Sequence, residues 1–96
     1  MSLYAVRYRY SEDGAGRDEH RPAHREFLSG LAQEGTLVAA GPLTEGPPEA
    51  VLLLRGQSAE QVRELLREDP FAQQGIIDSV EVREWDVVIG RVGHHD

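Results

Sequence analysis

AVLLLRG, residues 50–56, is the stretch that decides the fold, because its first five residues are all apolar. The run has the length of a strand but lacks the alternation of polar and apolar residues that marks a strand with one face in water. It is therefore predicted to be covered on both faces, and the rest of the chain has to supply those covers.

Three other segments have the pattern of strands. LYAVRYRY, residues 3–10, alternates with period two and carries its aromatic residues on one side. TLVAAGPL, residues 36–43, is a second strand that ends at a Gly-Pro pair. IIDSVEVREWDVVI, residues 76–89, is the last strand, and its alternation slips between Val82 and Trp85, which predicts a bulge or twist there.

A first helix is predicted over residues 20–34. It follows residues 11–19, a polar segment that reads as a loop because two glycines interrupt it. Pro22 suits the first turn of a helix, and Gly35 is a natural stop. The apolar side of this helix is a stripe with the spacing i, i+3, i+4, i+7, formed by His24, Phe27, Leu28 and Leu31.

A second helix begins with SAEQ, residues 58–61, which has the form of a capping box. Its buried stripe is predicted to consist of Val62, Leu65 and Leu66. The helix ends before Asp69, because the residue that precedes a proline is disfavoured in the α region.

The predicted element order is β-α-β-β-α-β. This order supports an α+β fold of the ferredoxin-like type, with a four-stranded antiparallel sheet and both helices on one face. The helices cover only one side of the sheet, whereas residues 50–56 are apolar on both sides. A second copy of the chain would cover the other side, so we predict a homodimer that closes an α+β barrel.

Length and composition predict one domain over residues 1–96, with residues 90–96 as a flexible tail. The formal net charge is −7, and all ten basic residues are arginines. Because the chain has no basic run, neither nucleic acid nor an anionic membrane surface is expected as a partner.

Cysteine is absent, which excludes disulfides, thiolate catalysis and metal sites built on cysteine. The longest apolar run, residues 50–54, is far shorter than the ~20 residues that a membrane span needs. The N-terminus lacks the charged-then-apolar layout of a signal peptide. We therefore expect a cytoplasmic protein.

His24 occupies a position on the helix stripe where an apolar residue is expected. One interpretation is a half-buried histidine that donates to a backbone carbonyl. The other is a general acid or base, because imidazole titrates near neutral pH and a carboxylate readily tunes it. His20 would share the same helix face, but Pro22 lies between the two histidines and no metal-binding pattern is present, so no metal site is predicted.

Asp69 also has two interpretations. An aspartate directly before a proline is a good N-cap, with Pro70 opening a short turn of helix. Alternatively, Asp69 belongs to a site, because sites are often placed at junctions between elements. The pattern alone leaves open whether Asp69 and His24 meet.

Arg7 and Arg9 share one face of the first strand. If that face looks into a dimer cavity, the two side chains could bind an anionic substrate. If it looks outward, or pairs with Glu81 or Glu84, they form surface ion pairs of little consequence. Tyr8 is a third candidate for substrate binding, although the sequence leaves open whether its ring lines the cavity or the core.

Three motifs resemble the YCII-related (YciI-like) proteins in order and spacing. These are RPAH at residues 21–24, GTLVAAGPL at residues 35–43 and DPF at residues 69–71. The resemblance implies a ferredoxin-like subunit that pairs into a dimeric α+β barrel. It also implies that His24 and Asp69 form an active-site dyad.

The resemblance extends in fold to muconolactone isomerases and to small monooxygenases that need no cofactor. It implies a small enzyme of the lyase or isomerase type, in which His24 moves a proton and Asp69 orients the imidazole. The substrate would be a small molecule, anionic or lactone-like, and no metal or organic cofactor is implied. The alternative is a non-catalytic dimeric module that binds a small molecule.

Overall fold

The computed structural model describes residues 1–92, and its elements follow the predicted order with one short helix added. They are β1 (Ser2–Tyr10), α1 (Gly14–Glu34), β2 (Leu37–Pro42), β3 (Glu49–Gly56), α2 (Ala59–Leu66), α3 (Pro70–Gln73) and β4 (Ile77–Glu84). Residues 93–96, part of the predicted tail, lie outside the described residues. Within residues 1–92, no helix is both long enough and apolar enough to cross a membrane.

The four strands form one sheet in the order β2-β3-β1-β4, and every neighbouring pair is antiparallel. This is the ferredoxin-like α+β arrangement, and the predicted fold class is confirmed. Strand β3 lies between β1 and β2, so both of its edges are hydrogen-bonded. The apolar run of residues 50–56 therefore forms an inner strand of the sheet.

The core lies between the helices and one face of the sheet. On this face Val6 of β1 stands opposite Leu52 of β3, and Tyr4 stands opposite Leu54. All four side chains are buried. Period two thus sends alternate residues of β1 and β3 into one core, and for β1 this is the alternation that the sequence shows.

The opposite face of the sheet is only partly covered within one chain. On β3, Val51 keeps 40% of its surface exposed, whereas Leu53 keeps 8%. Arg7 and Arg9 of β1 are exposed on this same face. The pairing of two chains through this face stays a prediction.

Helix α1 begins at Gly14, and the prediction of a loop over residues 11–19 was wrong. Asp13 caps the helix by accepting a hydrogen bond from the backbone N–H of Gly16 at 2.9 Å. Pro22 consequently lies inside the helix instead of in its first turn. It removes one backbone hydrogen bond there, to the carbonyl of Asp18 in the preceding turn. Both residues are exposed, so water can satisfy that carbonyl.

The last strand is shorter than predicted, because β4 ends at Glu84 instead of continuing to residue 89. The irregularity also lies elsewhere than between Val82 and Trp85. The register with β1 shifts between Arg9 and Tyr10. The shift leaves one residue of β4 without a partner on β1, and only the pairing of the two strands shows where that residue lies.

Two glycines of α1 give a stability test of the backbone, because neither has an atom within 4 Å of an added Cβ. Gly30 lies in the helix interior, so Gly30→Ala is expected to raise the free energy of unfolding by about 0.5–1 kcal/mol. Gly35 caps the helix at φ 88°, so Gly35→Ala is expected to lower it by about 1 kcal/mol. Urea denaturation of both variants measures the difference, and a change of the same sign in both would contradict the assignment of Gly35 as the cap.

Candidate active site

His24 and Asp69 meet on the helix side of the sheet, 45 residues apart in sequence. Nδ1 of His24 lies 2.8 Å from Oδ1 and 3.0 Å from Oδ2 of Asp69. The helical stripe turns His24 inward from α1, and the end of α2 places Asp69 at the start of α3. The partner of His24 is therefore a carboxylate and not the backbone carbonyl of the alternative interpretation.

The Asp69 carboxylate is fully buried and accepts three hydrogen bonds. Oδ1 accepts from the backbone N–H of Phe71 at 2.9 Å, which makes Asp69 the N-cap of α3. Oδ2 accepts from the hydroxyl of Tyr8 at 2.9 Å, and Nδ1–H of His24 is the third donor. The capping role and the contact with His24, which the sequence left as alternatives, occur together in one carboxylate.

Tyr8, the third candidate for substrate binding, lies in the core of the chain, and that role stays a prediction. Its side chain is completely buried in the core. Period two places Tyr8 on the sheet face opposite to Arg7 and Arg9, under the helices. There its hydroxyl donates a hydrogen bond to Asp69, which lies 61 residues away in the sequence.

Phe71 is a site residue that the sequence did not single out. Its ring lies parallel to the His24 imidazole, with a centroid distance of 3.9 Å and an interplanar angle of 6°. The stack holds the ring plane while Asp69 holds Nδ1, so the imidazole has little freedom to turn. The DPF motif contained the signal, because it places Phe71 two residues after the cap that contacts His24.

Nε2 of His24 is the atom that remains available. It has no hydrogen-bond partner within residues 1–92. Every fully buried side-chain nitrogen or oxygen in that part of the chain does have a partner, so Nε2 is not one of the buried atoms. Nε2 is therefore not sealed from solvent. Because the carboxylate occupies Nδ1 as an acceptor, we assign the proton of the neutral imidazole to Nδ1 and the lone pair to Nε2.

His24 lines a cavity of about 390 Å³, which lies between α1 and the hairpin that β2 and β3 form. Apolar side chains and backbone form much of its wall, from Leu28, Pro42, Leu43, Pro48 and Phe71. Arg17, Arg21 and Arg25 line it from α1. The sequence analysis missed these arginines, although their spacing of four residues on the helix that carries His24 was a usable signal.

Arg7 and Arg9 are not near the dyad. They lie on the opposite face of the sheet, where their Nε atoms are 3.9 and 3.8 Å from the Glu49 carboxylate. One interpretation of the sequence predicted ion pairs with Glu81 or Glu84. In the structure both arginines lie beside Glu49 instead. Within one chain the two side chains form exposed ion pairs and do not reach the cavity of His24.

His20, the other histidine of α1, lies outside the site. His20 is half-buried one turn before His24 and does not line the cavity. In the described part of the chain, no group of three or more His, Asp or Glu side chains could hold a metal ion.

Most of the chain matches a known protein family. Residues 2–86 match the YCII-related domain, which is most of the chain. The chain belongs to the YCII-related family. This confirms the resemblance inferred from the three motifs.

A curated relative supports the assignment. The YCII-related chain is 39% identical over 75 residues to "Derivative of benzaldehyde biosynthesis cluster protein C" of Emericella nidulans, a match that spans 68% of this chain and 76% of the relative. The identity is high enough, over enough of both chains, to show a common family.

Solved structures share the fold of the YCII-related chain. The 5-chloro-2-hydroxyhydroquinone dehydrochlorinase TftG of Burkholderia phenoliruptrix, in complex with 2,5-dihydroxybenzoquinone, superposes with a TM-score of 0.76, at 18% identity over 88% of this chain and 93% of TftG. An antibiotic biosynthesis monooxygenase superposes with a TM-score of 0.58, at 14% identity over 93% of this chain and all of the other. At these identities the likeness shows the fold alone.

Two tyrosines near the dyad are held in their neutral form. Burial, and then the Asp69 carboxylate, raise the pKa of Tyr10 to about 12, with Arg17 and Arg21 opposing the shift. Burial and Asp69 also raise the pKa of Tyr8 far above its ordinary value. The hydroxyl of Tyr8 therefore stays a donor to Asp69 throughout the physiological pH range.

These shifts predict a loss of stability in alkali. Below about pH 10 both tyrosines are protonated in the native and unfolded chains, so they add no pH dependence. Between about pH 10 and 12 the unfolded chain releases protons that the native chain retains, and the free energy of unfolding falls as the pH rises. Urea denaturation at rising pH measures the slope, which should be shallower in Tyr10→Phe and Tyr8→Phe. Slopes that are identical in all three chains would contradict the prediction.

Proposed function

We propose that this protein is a small acid–base enzyme of the lyase or isomerase type. Nε2 of His24 takes a proton from a small molecule bound in the cavity and returns it to the product or to water. The observation that carries the proposal is the pair of contacts at 2.8 and 3.0 Å from Nδ1 of His24 to a buried carboxylate, with Nε2 left open. A histidine held in this way is suited to general acid–base catalysis.

The Asp69 carboxylate has two effects in this proposal. It keeps the proton of the neutral imidazole on Nδ1, so that the lone pair of Nε2 faces the substrate. It also stabilises the imidazolium that forms when Nε2 accepts a proton. Tyr8 and the N–H of Phe71 act as positioning groups, because they hold the carboxylate in the plane from which it meets His24.

The proposed step is a proton abstraction from carbon. The electron pair of the C–H bond moves into an adjacent conjugated system as the proton goes to Nε2. Return of the proton from Nε2 to a different carbon gives an isomerisation. In an elimination, the C–H electron pair forms the new double bond, the leaving group departs with the electron pair of its own bond to carbon, and the proton then passes from Nε2 to water.

The comparisons support this reaction class. TftG is named as a dehydrochlorinase, and a dehydrochlorination is an elimination in which a proton and chloride leave. It was crystallised with a small oxygenated ring, and the relative in Emericella nidulans is named for a benzaldehyde biosynthesis cluster. We therefore propose a small, ring-sized metabolite as the substrate of this chain.

Exchange of hydrogen for deuterium tests the proposal without a known substrate. Small carbon acids, including unsaturated lactones, cyclohexadienones and hydroxybenzoquinones, are incubated with the protein in D₂O, and loss of the C–H signal is followed by proton NMR. The expected result is exchange faster than in buffer for at least one compound, and none above buffer with His24→Asn. The binding module would be favoured over the enzyme if exchange persisted in His24→Asn. The same would follow if the native chain accelerated exchange in none of the compounds.

A further inference from the structure

The cavity of His24 carries a charge opposite to that of the whole protein. The chain has a formal net charge of −7, yet three arginines, Arg17, Arg21 and Arg25, line the cavity against one acidic residue, Glu49, with the Asp69 carboxylate behind His24. The Glu49 carboxylate already lies within 4 Å of Arg7 and Arg9 on the other sheet face. A local excess of positive charge in an apolar-walled cleft attracts anions.

The three arginines lie close to one another along α1. Arg17, Arg21 and Arg25 follow one another at i, i+4 and i+8, so their guanidinium groups share one side of α1. Like charges at this spacing destabilise a helix slightly. A row of like charges that borders a cavity provides a place for a bound anion, which would offset the repulsion along the row.

The three arginines differ in how far they are already engaged. Arg17 donates to the backbone carbonyl of Ser11 and lies 5.6 Å from the centre of the Tyr10 ring, so it is held in place. Arg21 pairs with the exposed Asp18 at 2.7 Å, an exposed contact of the kind that contributes little. Arg25 makes no ion pair or side-chain hydrogen bond to any residue that the structure describes. Arg21 and Arg25 are thus the two that can turn to a ligand.

The remaining wall defines the other end of the ligand. Leu28, Leu43 and Phe71 present apolar surface to the same cavity. Its volume of about 390 Å³ lies at the small end of the range for sites that bind small molecules. The guanidinium fork matches a carboxylate with two parallel hydrogen bonds, and planar recognition of this kind is the property that separates arginine from lysine.

We infer that Arg21 and Arg25 form an anion subsite, and that the substrate of the proposed reaction is a small planar carboxylate. The carboxylate lies against the two guanidinium groups, and the apolar body of the molecule lies against Leu28 and Leu43 with its acidic C–H at Nε2 of His24. The inference rests on the proposed function for the role of His24. The anion subsite itself requires only the arginines and the cavity.

Benzoate and its neutral analogue benzamide serve as probes in an NMR titration of the ¹⁵N-labelled protein. The test variant is Arg21→Gln/Arg25→Gln on α1. The matched control is Arg63→Gln/Arg67→Gln on α2, which removes the same charge from two arginines that also lie four residues apart and outside the cavity. The expected result is a Kd for benzoate that rises about tenfold or more in the α1 variant and is unchanged in the α2 variant. Benzamide should bind more weakly than benzoate to the native chain.

The outcomes separate this inference from the proposed function. Equal benzoate affinity in the native chain and the α1 variant, or benzamide binding as tightly as benzoate, overturns the anion subsite. So does a native chain that binds no benzoate. His24→Asn is expected to retain benzoate binding while it loses proton exchange. If proton exchange is absent in the native chain but the arginine dependence is found, the anion subsite stands and the enzymatic proposal fails.

Discussion

Replacing His24 by Asn is expected to lower the rate of enzyme-catalysed proton exchange by about 10²- to 10⁴-fold, the range in which a positioned general base contributes. Asn is close to histidine in polarity and can still donate its amide N–H to Asp69, but it offers no base at the position of Nε2. The loss should appear in the rate for bound substrate, since the arginines and the apolar wall of the cavity are unchanged. Deuterium exchange followed by proton NMR at saturating substrate measures it.

His20→Asn is the matched control for this prediction. His20 lies one turn earlier on the same helix, is half-buried, and does not line the cavity. Its replacement is expected to leave the exchange rate within about a factor of two, in keeping with a site away from the reacting atoms. A similar loss in both variants would show that the fold of α1, and not the imidazole of His24, limits the rate.

Asp69→Ala is expected to lower the free energy of unfolding by about 3–5 kcal/mol, because each donor that a buried carboxylate leaves without an acceptor costs about 1–3 kcal/mol. Three donors lose their acceptor at once: Nδ1–H of His24, the hydroxyl of Tyr8 and the N–H of Phe71. The Tyr8 hydroxyl is buried and has no room to reach water. For a chain of this size the loss corresponds to a fall in Tm of roughly 12–40 °C. Thermal melting at a fixed protein concentration measures it.

Asp13→Ala separates the cost of the cap from the cost of the network. Asp13 is also an aspartate N-cap, on α1, but it is exposed and accepts only the N–H of Gly16. Its replacement is expected to cost about 1 kcal/mol. If Asp69→Ala costs no more than Asp13→Ala, the buried contacts with His24 and Tyr8 contribute nothing to stability, and Asp69 is only a cap.

These two predictions describe one carboxylate with a structural and a chemical role. Hydrogen bonds tie the Asp69 carboxylate to three elements, α3, β1 and α1. The His24 imidazole is held in turn by the hydrogen bond at Nδ1 and by the stack on Phe71. In the proposed reaction, this pre-organisation positions Nε2 for the substrate before the substrate binds.

Much of the local structure follows from short-range patterns. Ser58 caps α2 by accepting from the N–H of Gln61 at 3.0 Å, as the SAEQ motif predicts. Gly35 ends α1 in the left-handed conformation. The start of α1 was mispredicted because Asp13 is a stronger start signal than the proline taken to mark the first turn.

The candidate site was only half accessible to prediction. The helical stripe placed His24 on the inner side of α1, and the Asp-Pro pair marked Asp69 as a cap. The family resemblance implied that the two form a pair. The core position of Tyr8 was left open and the cavity arginines were missed, because both depend on which elements pack against which.

Taken by itself, the sequence determined the order of elements, the cap of α2, the end of α1 at Gly35 and the family. These properties depend on residues within one turn of helix or within a few positions of a strand, so the chain pattern contains them. The tertiary structure alone decided that the Tyr8 hydroxyl meets Asp69 across 61 residues, and that Arg25 rather than Arg7 borders the cavity of His24. The physical reason is that contacts between distant segments are set by how the helices lie on the sheet and which face they cover, and a local pattern carries no information on either.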